Sequence, residues 1–403
     1  MGSAGPAVDV VGIGADGWAG LPDRARELIT AAGVLVGSAR QLDLMPDHPH
    51  QDRLPLPAPL RPGLPGLLDS LAGRPTVVLA SGDPLVYGIA ATLIDLVGPN
   101  RVRVHPTVSS VSLAAAELGW PSDSFDVVRI ATSLSPLRRL LTPGRRVLVL
   151  SADDRTPVAV ASLLVETGHE RSALTVLADL GTAAQSRHDA TAEQFAVAPP
   201  VVSRLNVVAL TVAGSAGWPT VGGLPDEAFE HDGQLTKRDA RASALARLAP
   251  GPGQLLWDVG AGAGSVAIEW SRTDPRCRAV AIERDAARAA RITRNAATLG
   301  ATGVRVVTGA APAALAGLPA PDAVFVGGGA TVPELLDTCW QALGSGGRLV
   351  VHGVTLETEA LLADRHRRHG GELIRLSVER VEPLGAFRGW VPARPIVQWS
   401  VTT

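Results

Sequence analysis

Short apolar runs rich in valine, isoleucine and leucine alternate with helix-like stretches along the whole chain, the pattern of an α/β protein. In the first half the runs 8-VDVVGIG-14, 33-GVLVGS-38, 76-TVVLASG-82, 101-RVRVHP-106, 146-RVLVLS-151, 174-LTVLAD-179 and 206-NVVALTV-212 predict strands. Residues 213–233 then carry neither period and are rich in Gly and Pro, which marks a junction. Beyond it, 236-TKRDARASALARLAP-250 predicts a helix opened by a Thr236/Asp239 capping box and stopped by Pro250-Gly251.

Strand–helix pairs follow. The strand 255–260 leads into a helix over 265–272, and the strand 278–283 into one over 285–299. In that second helix Ala289, Ile292, Ala296 and Leu299 share a face, and Gly300 stands where a C′ glycine belongs. Strands at 304–309, 322–328 and 348–354 come next, with a closing pair at 373–381 and 396–401. The expected organisation is one domain over 1–213, a linker and entry segment over 214–232, and a second domain over 233–403.

Composition narrows the function. The 403 residues carry a net charge of −2 and 3% aromatics, so a nucleic-acid partner is not expected. No apolar run approaches the roughly 20 residues of a membrane span, and the glycine-broken opening run has no basic flank. Cys277 and Cys339 offer neither a disulfide framework nor a zinc motif. Together these predict a cytoplasmic protein without membrane contact. Lys237 is the only lysine and Tyr87 the only tyrosine.

The chemistry concentrates in glycine loops. In 255-LLWDVGAGAGSVAIEW-270, Gly260, Gly262 and Gly264 are spaced G-x-G-x-G, not the G-x-G-x-x-G of a dinucleotide site, and no G-K-[ST] follows to make a P-loop. Asp258 precedes the loop, where a carboxylate can accept from an ammonium or hold a water. Glu283 ends the next strand, where a carboxylate can take both ribose hydroxyls.

This combination resembles the class I S-adenosylmethionine-dependent methyltransferases. The resemblance implies a Rossmann-like fold with the donor held by Asp258, Gly260, Ala261, Gly262, Ala263, Gly264 and Glu283. The usual adenine-reading Asp is replaced by Ala310, beside Ala311, so backbone groups would take that role. In the first half, 80-ASGDPLVYG-88, 10-VVGIGADG-17 and 104-VHPTVSSVSLAAAELGW-120 resemble the two-lobed tetrapyrrole methylase family, class III. That implies donor contacts from Gly82, Asp83, Val86, Ser109 and Ser110, with the opening glycine loop facing the tetrapyrrole.

The runs 233-GQLTKRDARA-242, 322-DAVFVGGG-329 and 351-VHGVTLETEALL-362, with the 258-DVGAGAG-264 loop, narrow the second half's resemblance to the decarboxylating precorrin methylases of cobalamin biosynthesis. The implied enzyme is a fusion with two S-adenosylmethionine sites. It would methylate carbons 5 and 15 of a precorrin-6-type tetrapyrrole and lose the ring-C acetate carboxyl, giving a precorrin-8-type product. Similar enzymes place the Thr of the L-T-K stretch, here Thr236, beside the donor, and they assemble as dimers or tetramers. Lys237, Glu357 and His352 are the candidates for substrate contact or proton transfer, Arg238 a further cation for substrate carboxylates; no metal is implied.

Departures from the tetrapyrrole methylase family at 129-RIATSLSPL-137 and 180-LGTAAQSRH-188 leave open a single-activity enzyme with a degenerate first half. Two more distant alternatives are a class I RNA methyltransferase and a non-catalytic tetrapyrrole carrier.

Overall fold

The computed structural model describes residues 8–214 and 217–403. These form two compact units. The linker residues Ser215 and Ala216, and residues 1–7 of the expected first domain, lie outside the described residues.

The first unit holds two five-stranded sheets. One comprises β1 (Val8–Ile13), β2 (Val34–Gly37), β3 (Asp52–Pro55), β4 (Thr76–Ser81) and β5 (Val102–His105), in the order β3-β2-β4-β1-β5. All its pairings are parallel. Its central strands are near-continuous apolar runs buried on both faces, as a helix-covered parallel sheet requires. The other comprises β6 (Asp126–Arg129), β7 (Arg146–Leu150), β8 (Ala173–Ala178), β9 (Ser186–Thr191) and β10 (Asn206–Thr211), in the order β6-β7-β10-β8-β9. Here only β6 and β7 run parallel; β10 is antiparallel to both neighbours.

The second unit is one seven-stranded sheet in the order β13-β12-β11-β14-β15-β19-β16. It is built from β11 (Leu255–Val259), β12 (Arg278–Glu283), β13 (Val304–Thr308), β14 (Ala323–Val326), β15 (Arg348–Gly353), β16 (Glu372–Leu376) and β19 (Ile396–Thr402). The first five are mutually parallel and β19 is antiparallel to both its neighbours. The strand order reverses between β11 and β14, which opens the crevice where ligands of open α/β sheets bind. Between β16 and β19 the chain runs out into a hairpin, β17 (Glu379–Leu384) and β18 (Phe387–Pro392).

Three expectations need correction. Leu134–Thr142, inside the expected first domain, belongs by its contacts to the second unit. There Ser135 Oγ donates to the Ala297 carbonyl at 2.9 Å, and a Cβ on Gly300 would stand 2.9 Å from the Ser135 oxygen. The run 373–381 is two strands, β16 and the start of β17, not one. The helix Arg238–Leu248 has no Thr236 cap: Lys237 is its N-cap residue, and Asp226 accepts from the Arg238 N–H at 3.0 Å. The helix Ala286–Thr298 does bury Ala289, Ile292 and Ala296, with Leu299 just beyond it buried too, and Gly300 follows at φ +70°.

Among the described residues no helix is long and apolar enough to cross a membrane.

Candidate active site

In the second unit the predicted donor residues gather at the carboxyl ends of β11, β12 and β13. Gly260, Gly262 and Gly264 all take positive φ, so each needs glycine on backbone grounds. Space imposes the same choice. A Cβ on Gly262 would sit 2.7 Å from the Gln234 carbonyl oxygen, and one on Gly264 would sit 2.6 Å from Ile292. The Gln234 carbonyl also accepts from the Ala263 N–H at 3.1 Å. The segment before Thr236 thus lies against the loop, which brings Thr236 and Lys237 into its neighbourhood.

Glu283 is 5% exposed and its two oxygens accept from Gly262 N–H at 2.9 Å and Asp285 N–H at 3.0 Å. Its strand neighbour supplies the rest of the crevice wall: Gly309 N–H donates to the Glu283 carbonyl, which sets Ala310 and Ala311 beside it. On the other side, a Cβ on Gly260 would meet the Gly328 oxygen at 3.2 Å, so the Gly327–Gly329 turn after β14 closes tightly on the loop.

Asp258 sits differently from its expected place. It is 1% exposed and accepts from Ala267 N–H at 2.9 Å, in the first turn of the helix Ser265–Thr273. Burial pushes its pKa up to about 7, against the helix N–H, with the Glu283 charge adding to the rise. The structure therefore gives Asp258 the role of anchoring the helix behind the loop.

The three proton-transfer candidates divide. His352 is 6% exposed, hydrogen-bonded through Nε2 to Gln398 Oε1 at 2.8 Å, and edge-on to Phe325. Desolvation pulls its pKa down to about 4, so it is a neutral, structural imidazole near neutral pH, not a titrating acid. Glu357 is exposed in the first turn of the helix Leu356–His369, where its own N–H and the Thr355 hydroxyl lower its pKa. It serves the helix end. Lys237 is half exposed and pairs loosely with Asp226, at 3.5 Å.

In the first unit, Gly82, Val86 and Ser110 line a cleft of about 450 Å³ whose walls come from both sheets. Gly82 takes φ +58°, and its N–H donates to the Ile13 carbonyl at 2.8 Å. A Cβ on Gly12 would sit 2.5 Å from the Gly82 oxygen, so the opening glycine loop buttresses the Gly-Asp-Pro loop while its Ile13–Ala15 end lines the cleft. Asp83 Oδ1 accepts from Leu85 N–H at 2.8 Å and so holds its own turn. Ser109 caps the helix Ser110–Leu118, accepting from Ser112 N–H at 3.0 Å. Tyr87, at φ +54°, reaches from the first sheet's side to donate its hydroxyl to the Val127 carbonyl of β6 at 2.9 Å.

Sequence reasoning missed five cleft residues. Arg40, Arg129 and Arg204 line it exposed, without a carboxylate partner among the described residues. Arg40 touches the Ser81 hydroxyl at 3.3 Å. Ser151 Oγ and Asn206 Oδ1, also in the lining, are buried polar atoms with no protein partner among the described residues. No local spacing could have revealed them, since they come from separate turns and strand ends.

The model for tetrapyrrole (corrin/porphyrin) methylases matches residues 8–196, and that for the precorrin methyltransferase domain matches residues 227–403. A precorrin-6Y C(5,15)-methyltransferase (decarboxylating) of Sinorhizobium is 44% identical over 401 residues, covering 98% of this chain and 96% of its own. The enzyme of that name from Mycobacterium tuberculosis is 46% identical over 399 residues, covering 98% and 99%. A cobalt-precorrin-6B C(15)-methyltransferase (decarboxylating) of Salmonella typhimurium is 34% identical over 167 residues, covering 40% of this chain and 85% of its own. Both halves and their order agree with the full-length relatives: the chain belongs to the family of decarboxylating precorrin-6Y C(5,15)-methyltransferases.

Proposed function

We propose that this chain, an S-adenosylmethionine-dependent decarboxylating C-methyltransferase of cobalamin biosynthesis, works with two donor sites, one in each unit. It methylates carbons 5 and 15 of a precorrin-6-type tetrapyrrole and releases the ring-C acetate carboxyl as carbon dioxide. The observation that carries this reading is the coexistence, in one chain, of the glycine loop Gly260–Gly264 held by Glu283 at the point where the strand order reverses, and the separate cleft lined by Gly82.

The residues fit the donor. The glycine loop leaves no Cβ between its backbone and a ligand, and Glu283 stands at the strand end as an acceptor for ribose hydroxyls. In the first unit Gly82, Val86 and Ser110 face an open cleft of suitable size. S-adenosylmethionine supplies an electrophilic methyl group at each site. The chain's contribution is to orient the nucleophilic meso carbon against it and to exclude water, so no strong base is needed. In the decarboxylation the C–C bond to the carboxylate breaks and its electron pair passes into the conjugated ring imine of the substrate. Apolar walls around that carboxylate favour its loss.

The guanidiniums of Arg40, Arg129 and Arg204, which have no carboxylate partner among the described residues, support a polyanionic substrate at the first cleft, because its carboxylates would supply one. Homo-oligomerisation is part of the proposal and is supported by the hairpin β17–β18, which leaves Phe387 80% and Trp390 68% exposed. Buried free thiols at Cys277 and Cys339 suit a cytoplasmic location.

Calorimetric titration of the full chain with S-adenosylhomocysteine tests the central claim. Two sites per chain are expected; one would overturn it.

A further inference from the structure

The buried polar pair in the first cleft has a defined chemistry. Asn206 opens β10 and is 7% exposed. Its amide nitrogen lies 3.1 Å from the Asp153 carbonyl oxygen and 2.9 Å from the Ser203 carbonyl oxygen. Two acceptors on that side mean that it must be the NH₂ group, so the network fixes the orientation of the carboxamide. Oδ1 then points away from both carbonyls, buried and without a donor. The antiparallel register that pairs Val207 with Leu150 carries Asn206 next to Ser151, whose Oγ is likewise buried and unpaired. Both residues line the cleft, flanked by Leu150, Leu177 and Val207.

A buried acceptor left without a donor carries a desolvation cost, so a ligand N–H that meets Asn206 Oδ1 recovers a real penalty. The ligand edge must offer an N–H beside a second polar atom for the Ser151 hydroxyl, on a flat body that suits the aliphatic walls. The periphery of a carboxylated tetrapyrrole does not qualify, because its carboxylates would set acceptor against acceptor. Its pyrrole N–H groups point inward to the ring centre, away from the lining of the cleft. The adenine base qualifies: its 6-amino group and N1 lie side by side on an aromatic plate.

We infer that Asn206 and Ser151 read the 6-amino/N1 edge of the methyl donor's adenine in the first unit, making Asn206 the residue that selects a 6-amino purine there. This rests on the reading of the cleft as a donor site. It also divides the cleft: a buried neutral acceptor (Asn206 Oδ1) and a hydroxyl donor (Ser151) for the base, and the exposed arginines for the substrate.

The test uses the full chain carrying Glu283→Ala, so that the second-unit site is weakened by about tenfold or more and the tighter phase of the titration reports the first-unit site, with S-adenosylhomocysteine and its 6-oxo (inosine) analogue as probes in calorimetry. With Asn206 in place the adenine probe is expected to bind at least about tenfold tighter than the 6-oxo probe. Adding Asn206→Ala should weaken the adenine probe by about tenfold and abolish the discrimination. If the Glu283→Ala chain binds no adenine probe, the donor-site reading of the cleft falls, and this inference with it. If it binds both probes equally with Asn206 present, the donor-site reading stands and the assignment to the base is overturned. That arm needs no change at Asn206, so it decides the matter even where Asn206→Ala disturbs folding. Weakening by Asn206→Ala with no discrimination between probes would transfer the contact to another donor group, such as its ammonium, and also overturn the assignment.

Discussion

Glu283 and Asp258 hold the two ends of one loop: Glu283 Oε2 accepts from the Gly262 N–H, and Asp258 Oδ2 accepts from the Ala267 N–H beyond it. One carboxylate lies at the open strand end and the other beneath the helix, so their removal should have different effects. In Glu283→Ala the second-unit donor site should weaken by about tenfold to a hundredfold, the cost of losing charged hydrogen bonds. Asp258→Asn keeps an acceptor for Ala267 and should leave donor affinity within about threefold. Calorimetry with S-adenosylhomocysteine distinguishes the two, and equal losses would mean that both carboxylates meet the ligand.

Asp258 and His352 give opposed pH dependences. His352 has its pKa pulled down to about 4 in the folded chain, so its contribution is complete above its unfolded value near 6.5 and is lost as pH falls toward 4. Asp258 has its pKa pushed up to about 7, so its contribution is complete below about 3.8 and is lost as pH rises toward 7. The two windows overlap and their slopes, each at most about 1.4 kcal/mol per pH unit, oppose one another. Relative to the parent chain, Asp258→Asn should gain stability with rising pH between about 4 and 7. His352→Gln should lose relative stability with rising pH between about 4 and 6.5. Denaturant midpoints across that range measure both, and parallel profiles for all three chains would refute the assignments.

The arginines of the first cleft should matter to substrate and not to donor. Arg129→Ala with Arg204→Ala is expected to raise KM for the tetrapyrrole in the first-unit methylation by about tenfold or more, with S-adenosylhomocysteine affinity unchanged. Mass spectrometry of singly and doubly methylated products reads the step affected. A change in donor affinity alone would count against a substrate role.

Phe387 and Trp390 are the most exposed aromatic side chains of the hairpin, and β17 is exposed along its whole length. Replacing both with glutamate should lower the sedimentation coefficient of an oligomer to that of the 41.6 kDa chain, without loss of the thermal transition. An unchanged sedimentation profile would place any self-association elsewhere.

The positions of the strands in both units were legible wherever a strand is buried, because burial writes a continuous apolar run. They were not legible at β3 (DRLP), β6 (DVVR) or β9 (SRHDAT), whose short or polar, partly exposed runs carry no clear period. β17 and β18 were obscured for a related reason, since ERVEPL and FRGWVP break their patterns with Pro and Gly. At the donor loop, glycine spacing and the flanking carboxylates are local in sequence, and the structure keeps them together. What spacing could not supply was direction. Asp258 turns under the helix, and the Asn206 amide is oriented by carbonyls from two separate turns. The first cleft draws on Arg40, Arg129, Ser151 and Arg204, which only the topology of two sheets makes neighbours.

Lys237, at the entrance to the Arg238–Leu248 helix, carries the only side-chain amine in the chain, and its side chain is half exposed. It follows Gln234, whose carbonyl closes on the glycine loop, by three residues. An amine-selective fluorophore would therefore mark a single side chain of the native sequence, near the glycine loop Gly260–Gly264 proposed to hold the donor. Donor occupancy there could be followed optically, without introducing a cysteine or removing competing lysines.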